Sequence, residues 1–378
     1  MHKNGHLQYK VKVLHLCDKL AVDGGVAGIA RSLLLELPRY SPRFEPIVYT
    51  LRAADPGCQL LKDQGIAVTS MGKGKFDPFT LAEVLRIVKQ EQPALIHTHG
   101  FAASNFGRLA SWLTRTPVIV EENFCYHTPV YQRIADRLLS PLAVKGVAVS
   151  EATKTFMVHK RFFRTDRVHV VYRGIVLEDG VTTRRKSTSA PSPKETYRIP
   201  DNHQVVSVVG RLHHVKGQHV VLQAIPEVLR RFPRVTFLFI GEGAERPKLE
   251  ALAKHFDIEA HVRFPGFITE VDPVLEQTDI LLIPSLSEAF GRVAVEGMHR
   301  GCAIIASRVE GLREICHDGD DALLITPGDP RDLAEKLLVL LEDETLRARL
   351  AEHARENAKR FSIHQTVKKF EQIYDEVL

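Results

Sequence analysis

Glu288 and Glu296 stand eight residues apart in the segment Pro284–Gly301, PSLSEAFGRVAVEGMHRG. An apolar run, Ile280–Ile283, ends at Pro284, a small polar loop follows, and a helical pattern runs from Gly291 through Glu296. Gly291 lets the backbone come close to a ligand. A helix that starts there aims N–H groups at an anion, which suits a pyrophosphate. A carboxylate that faces a ribose or hexose accepts hydrogen bonds from two hydroxyls. Glu288 precedes the helix and Glu296 lies inside it, so both can line one cleft at the C-terminal ends of parallel strands. The plainer reading of Glu296 is a solvated helix residue.

A second segment, Val205–Gln218, reads VVSVVGRLHHVKGQ. Its strand ends at Gly210, and Arg211 and Lys216 flank the turn that follows. Arg offers a planar fork of donors and Lys a point charge, a pair suited to a diphosphate; as isolated residues they read as ordinary surface cations. Near the N-terminus, Val11–Leu16 leads to Asp23-Gly24-Gly25, a glycine-rich strand-to-helix turn that allows a phosphate to approach but is not a dinucleotide fingerprint. His97-Thr98-His99-Gly100 follows another strand. The two histidines are read as pointing to opposite sides, with His99 facing the cleft and His97 a satisfied core residue. No further ligand lies near them in sequence, so no metal site is expected.

These residues need strands and helices to position them. The first half alternates β-branched runs (Val11–Leu16, Pro46–Leu51, Ala67–Ser70, Ala94–His97, Val118–Glu121, Val147–Val149, Val168–Tyr172) with helical patterns such as Gly28–Leu37, Thr80–Gln90, Ala103–Thr114 and Tyr131–Ala143. Such alternation implies βαβ units and a parallel sheet. Residues 180–204, rich in Ser, Thr, Pro and charge, carry no apolar period and read as a linker or surface loop. The pattern restarts at Val205, with strands at Val205–Val209, Val235–Ile240, Val262–Phe264, Ile280–Pro284, Ala303–Ser307 and Ala322–Ile325. Ser362-Ile363-His364-Gln365 matches a capping box, and Ile363, Val367, Phe370, Tyr374 and Val377 share one helical face that must pack on something. The expected division is 1–180, a linker at 181–204, 205–360, and a last helix at 361–378.

With 378 residues, the chain can bury two cores without covalent staples. Five cysteines, none in a C-x-x-C pair, argue against a disulfide framework or zinc site and fit a reducing compartment. No apolar run approaches the roughly 20 residues that span a bilayer. The first residues lack a secretory leader pattern, so a cytoplasmic protein is expected. The net charge of +5 allows nucleotide phosphates or an anionic membrane as partners. No nucleic-acid motif accompanies it. The basic, aromatic stretch Lys154–Arg173 is a candidate for contact with an anionic membrane; its plainer reading is a charged helix and strand with Phe156 and Phe162 in the core.

Together, in this order and spacing, these segments resemble the retaining family 4 glycosyltransferases. Glu288 and Glu296 match that family's E-x7-E motif, and Gly210–Gly217 matches its G-R-L-x-x-x-K-G signature. Glu310-Gly311-Leu312-Arg313-Glu314 and Pro327-Gly328-Asp329 also fit. Ala289 stands where the family usually has Gly, and Gly297 where it has Ala. The resemblance implies the GT-B fold: α/β, two Rossmann-like domains facing a central cleft, and a C-terminal helix crossing back to the N-terminal domain.

It also implies roles. Arg211 and Lys216 would bind the donor diphosphate, Glu296 the ribose and Glu288 the sugar hydroxyls. The backbone of Phe290 and Gly291 would approach the distal phosphate and sugar, Gly25 would let the opposite loop close on that phosphate, and His99 would stand near sugar and acceptor. His99, Glu288, Arg211 and Lys216 form the expected catalytic set. The substrate would be a nucleotide sugar, a UDP-sugar by preference, and the acceptor a saccharide or lipid-linked saccharide. No Asp-x-Asp is placed to hold a metal on the diphosphate, so no cofactor and no metal are expected. A nucleotide-sugar epimerase, a phosphorylase and a catalytically inactive nucleotide-sugar-binding protein are the alternative readings.

Overall fold

The computed structural model describes residues 10–21, 25–74, 77–124, 129–177 and 193–378. Asp23 and Gly24 of the glycine turn, Cys125, and residues 181–192 of the expected linker lie outside them. The chain divides into two compact units, Met1–Gly174 with Ile363–Leu378, and Ile175–Ser362.

The first unit is built on β1 (Val11–Cys17), β2 (Phe44–Thr50), β3 (Val68–Ser70), β4 (Leu95–His99), β5 (Val118–Glu122), β6 (Lys145–Ala148) and β7 (Val168–Val170). They form one parallel sheet in the order β3-β2-β1-β4-β5-β6-β7. The chain winds outward from β1 to β3, then restarts at β4 on the other side of β1. That reversal is the point where open α/β sheets bind ligands. The central strands β1, β4, β5 and β6 are buried along most of their length, as in sheets covered by helices on both faces.

The last helix, Ile363–Val377, belongs to this first unit. Val367, Phe370, Ile373 and Tyr374 are buried with Val13, Leu95, Ile119 and Val147 of the sheet. Phe370 and Tyr374 are among the largest fully buried side chains, and burial of a side chain of that size contributes about 2–3 kcal/mol. The expected helix Tyr131–Ala143 runs instead from Val130 to Leu139 and gives way to a 3-10 turn, Ser140–Leu142. Pro141 explains the change, since it cannot donate the hydrogen bond that a continuing α-helix needs.

The second unit holds β8 (Gln204–Val209), β9 (Val235–Ile240), β10 (Val262–Gly266), β11 (Ile280–Ile283), β12 (Ala303–Ser307) and β13 (Leu323–Ile325). They form a second parallel sheet, ordered β10-β9-β8-β11-β12-β13. Its reversal falls between β8 and β11, the two strands that deliver the cation-rich turn and the E-x7-E segment. Among the described residues no helix is long and apolar enough to cross a membrane.

Candidate active site

In the second unit, two loops meet where β8 and β11 end. After β8 the chain turns through Gly210 and Arg211 to a 3-10 turn, His214–Lys216, and into the helix Gln218–Arg231. Gly217 joins them at φ 69°, and a Cβ there would stand 2.0 Å from the Pro284 carbonyl oxygen. Only glycine allows this approach. Leu286 N donates to Val215 O at 2.8 Å, which ties the two loops.

That closeness brings two of the expected residues together. Lys216 Nζ lies 2.6 Å from Glu288 Oε2, and Ser285 Oγ donates to the same oxygen at 3.2 Å. Gly291 caps the helix Arg292–His299 in the left-handed region, φ 97°, and a Cβ there would meet Leu312 Cδ2 at 2.4 Å. Phe290 is buried, its ring edge-on to Phe361 at 5.8 Å between centroids. Gln218 Nε2 donates to Arg211 O at 2.9 Å, which fixes the turn. The Arg211 guanidinium is exposed and makes no ion pair among the described residues.

Glu296 is not joined to this pair. Its Oε1 lies 2.8 Å from Arg292 Nε, one helical turn back. Burial raises its pKa, and the positive charge of Arg292 offsets only part of that. Ser285 and Arg292 were not singled out in the sequence. The only available signal was their position: one in the loop between β11 and Glu288, the other four residues before Glu296.

The first unit corrects the reading of the histidines. His97 and His99 do not point to opposite sides. Residues two apart on a strand share a face, and their rings lie 4.3 Å apart between centroids. His15, the register partner of His97 on β1, joins them, with Nδ1 3.0 Å from His99 Nε2. Glu121, the register partner of His99 on β5, stands 3.2 Å from His99 Nδ1 and 3.3 Å from His97 Nε2 through its Oε2. Its Oε1 is held by Arg173 at 2.5 Å and by Asn123 Nδ2 at 2.7 Å. Tyr374 Oη, on the last helix, meets His97 Nδ1 at 2.8 Å. Burial drives the His97 pKa down to about 4 and lowers that of His15 well below its ordinary value. For Glu121 burial works upward, but Arg173, His99 and His97 outweigh it and hold the carboxyl well below the usual range. His99 is thus buried, with both ring nitrogens turned to neighbours. Gly25 opens the helix Gly25–Tyr40 that follows β1.

Next to this cluster, in the same unit, is a cavity of about 270 Å³ whose lining includes Phe101, Glu121, Asn123, Phe124, Gln132 and Arg161. Arg161 pairs with Glu122 at 2.8 Å and with Asp136 at 2.6 Å, and Arg108 pairs with Asp136 at 3.0 Å. Neither arginine therefore brings an unbalanced charge to the cavity.

Comparison with known proteins follows the same division of the chain. Residues 23–179 match the family described as Glycosyltransferase Family 4, and residues 191–357 match Glycosyl transferases group 1. The chain belongs to the family 4 glycosyltransferases. Among curated relatives of this family 4 chain, the D-inositol 3-phosphate glycosyltransferase of Corynebacterium urealyticum is 31% identical over 252 residues, 64% of this chain and 58% of that enzyme. The chain thus matches little more than half the length of that relative. Among solved structures, Anabaena Alr3699/HepE in complex with UDP has a TM-score of 0.81 at 22% identity, covering 97% of this chain and 100% of that one. The same protein in complex with UDP-glucose has a TM-score of 0.80 at 24% identity, covering 97% and 99%. The fold is that of the GT-B glycosyltransferases.

Proposed function

We propose that this chain transfers a hexosyl group, with retention, from a UDP-sugar to an acceptor hydroxyl. The observation that carries the reading is the contact of Lys216 with Glu288, 2.6 Å apart at the ends of β8 and β11. It joins the cation of one family signature to the acid of the other. In the donor-free chain Glu288 neutralises Lys216. A diphosphate competes for the same ammonium, with Arg211 as the second cation, and frees Glu288 for the sugar hydroxyls. The complexes of HepE with UDP and UDP-glucose support uridine as the base.

In the reaction the bond from the anomeric carbon to the diphosphate oxygen breaks and a bond to the acceptor oxygen forms on the same face. The acceptor proton passes to the departing phosphate. Negative charge grows on that phosphate as the sugar becomes oxocarbenium-like, and Arg211, Lys216 and the helix start at Gly291 stabilise it by preorganised electrostatics. These cations do the work of a bridging divalent ion, so the donor step needs none. Glu296 is assigned to the ribose, and the backbone at Phe290 and Gly291 to the distal phosphate. Gly25 keeps the phosphate-side role that the resemblance implies. His99 is proposed as a positioning residue for the acceptor side, since Gly100 after it lines the cavity.

The proposed acceptor is a saccharide or lipid-linked saccharide. The cavity beside Glu121 suits uncharged hydroxyls, with Phe101 and Phe124 for a sugar face and both arginines already paired. Peripheral contact with an anionic membrane is proposed for the helix Val130–Leu139 instead of the Lys154–Arg173 stretch. That helix leaves Val130, Tyr131, Ile134 and Leu138 exposed beside Arg133 and Arg137, and Arg137 lies over the exposed Phe162 ring at 5.8 Å. Apolar side chains ringed by arginine match a lipid surface that is negative at its headgroups.

A thermal-shift screen across nucleoside diphosphates and their sugars tests the function. UDP and one UDP-sugar are expected to raise Tm with or without added Mg²⁺ or Mn²⁺. No stabilisation by any nucleotide, or stabilisation only with the ion, would sink the reading.

A further inference from the structure

Arg292 occupies a position that helix formation disfavours. It is the first residue of the helix Arg292–His299, directly after Gly291, and the first turn holds no acid. The start of a helix carries partial positive charge, so an acid there adds stability and a cation costs it. A pair of opposite charges four residues apart also supports a helix better with the acid first, and here the order is reversed. The ion pair of Arg292 Nε with Glu296 Oε1, 2.8 Å apart, therefore serves something other than the helix.

We propose that Arg292 is the positioning residue for the donor ribose: it fixes the Glu296 carboxylate so that both ribose hydroxyls donate to it, and thereby sets the discrimination of UDP from 2′-deoxy-UDP. This rests on the reading of Glu296 as the ribose acid and adds the residue through which that acid works.

The geometry leaves the carboxylate both held and available. Arg292 Nε is buried, while the two side chains are 38% and 23% exposed. The buried edge of the guanidinium thus faces the carboxylate, and the pair stays open to a ligand. Each carboxylate oxygen has about two lone-pair positions, so one contact at Oε1 leaves room there and at Oε2 for two hydroxyls.

The other charges nearby are committed elsewhere. Arg300, at the end of the same helix, pairs with Asp272 at 2.5 Å and with Glu276 at 3.1 Å. Arg355, on the helix Glu344–Ala358 packed beside it, stands at Gly301 and pairs with Glu352. Burial raises the Glu296 pKa, Arg292 draws it back most strongly, and Asp272, from the short helix Asp272–Leu275, raises it again. Without Arg292 the carboxyl would keep its proton to higher pH, and one of its oxygens would turn from acceptor to donor.

Calorimetry of UDP and 2′-deoxy-UDP binding to the full chain tests this. Wild type should prefer UDP by about ten- to a hundredfold, the worth of one hydroxyl donating to a carboxylate. Glu296→Ala should remove the preference. Arg292→Met should weaken UDP more than 2′-deoxy-UDP, cut the preference to about a fifth or less, and move the acid limb of UDP binding to higher pH. Arg292→Lys, which restores the charge but not the planar fork, should move that limb back. In the Glu296→Ala background, Arg292→Met should leave the preference unchanged, since it acts through the carboxylate. Arg292 is partly exposed, so both of its variants should fold. An Arg292→Met chain that weakens both nucleotides equally, the mark of a phosphate contact, or that leaves the acid limb in place would overturn the proposal while Glu296→Ala still upholds the ribose reading. Wild type that binds the two nucleotides alike, or a Glu296→Ala chain that keeps the full preference, would remove the ribose reading and the proposal with it.

Discussion

Lys216 and Glu288 are 72 residues apart in the chain and 2.6 Å apart in space. The first follows β8 and the second follows β11, and these strands are neighbours in the sheet. Their pairing yields a graded prediction. Lys216→Ala should lower turnover about 10²–10³-fold and cut the Tm gain from UDP. Glu288→Gln should keep the UDP shift while losing the extra shift from the sugar, because it leaves Lys216 free for phosphate. Equal shifts for UDP and UDP-sugar in wild type would contradict the role of Glu288.

Glu296 should make donor binding sensitive to acid. Burial raises its pKa above the ordinary glutamate value, so protonation begins at a higher pH than for an exposed glutamate. UDP affinity is expected to fall as pH drops into that range, and Glu296→Gln should be weaker but flat there. The effect on stability has the opposite sign. The folded chain takes up this proton more readily than the unfolded one, so Glu296 costs stability above its folded pKa and that cost is relieved as pH falls through it. Calorimetry of UDP binding and of thermal unfolding, each followed as the pH is lowered, checks both.

On the helix Val130–Leu139, the substitutions Ile134→Asp and Leu138→Asp change exposed positions, so folding should survive. Co-sedimentation with vesicles rich in phosphatidylserine should drop several-fold, while vesicles of phosphatidylcholine alone should bind neither form. Undiminished binding by the double variant would remove this helix from the membrane proposal.

Phe370 lies in the core shared by the last helix and the first sheet, beside Tyr374 and the Arg173 guanidinium, 5.2 Å from its ring. Phe370→Ala should destabilise the first unit by about 3–5 kcal/mol. Denaturant unfolding is expected to show an early transition for that unit. A midpoint within error of wild type would mean that the helix contributes little there.

Much of this architecture was legible beforehand. Strand and helix alternate with clear periods, so two parallel α/β sheets followed from β-branched runs such as Val235–Ile240 and Ala303–Ser307, both of which match their strands. The two signatures, Gly210–Gly217 and Glu288–Glu296, carried the family because their spacing survives in a one-dimensional string. What only the tertiary structure decided lies between segments. Strand order in a crossover sheet is not written locally: β1 and β4 are neighbours although His15 and His99 are 84 residues apart. That adjacency, and the shared face of residues two apart, turned two histidines expected to diverge into a cluster with His15, Glu121, Arg173 and Tyr374. Glu296 likewise found its partner in Arg292, because a helix brings residues four apart together whatever roles a motif gives them.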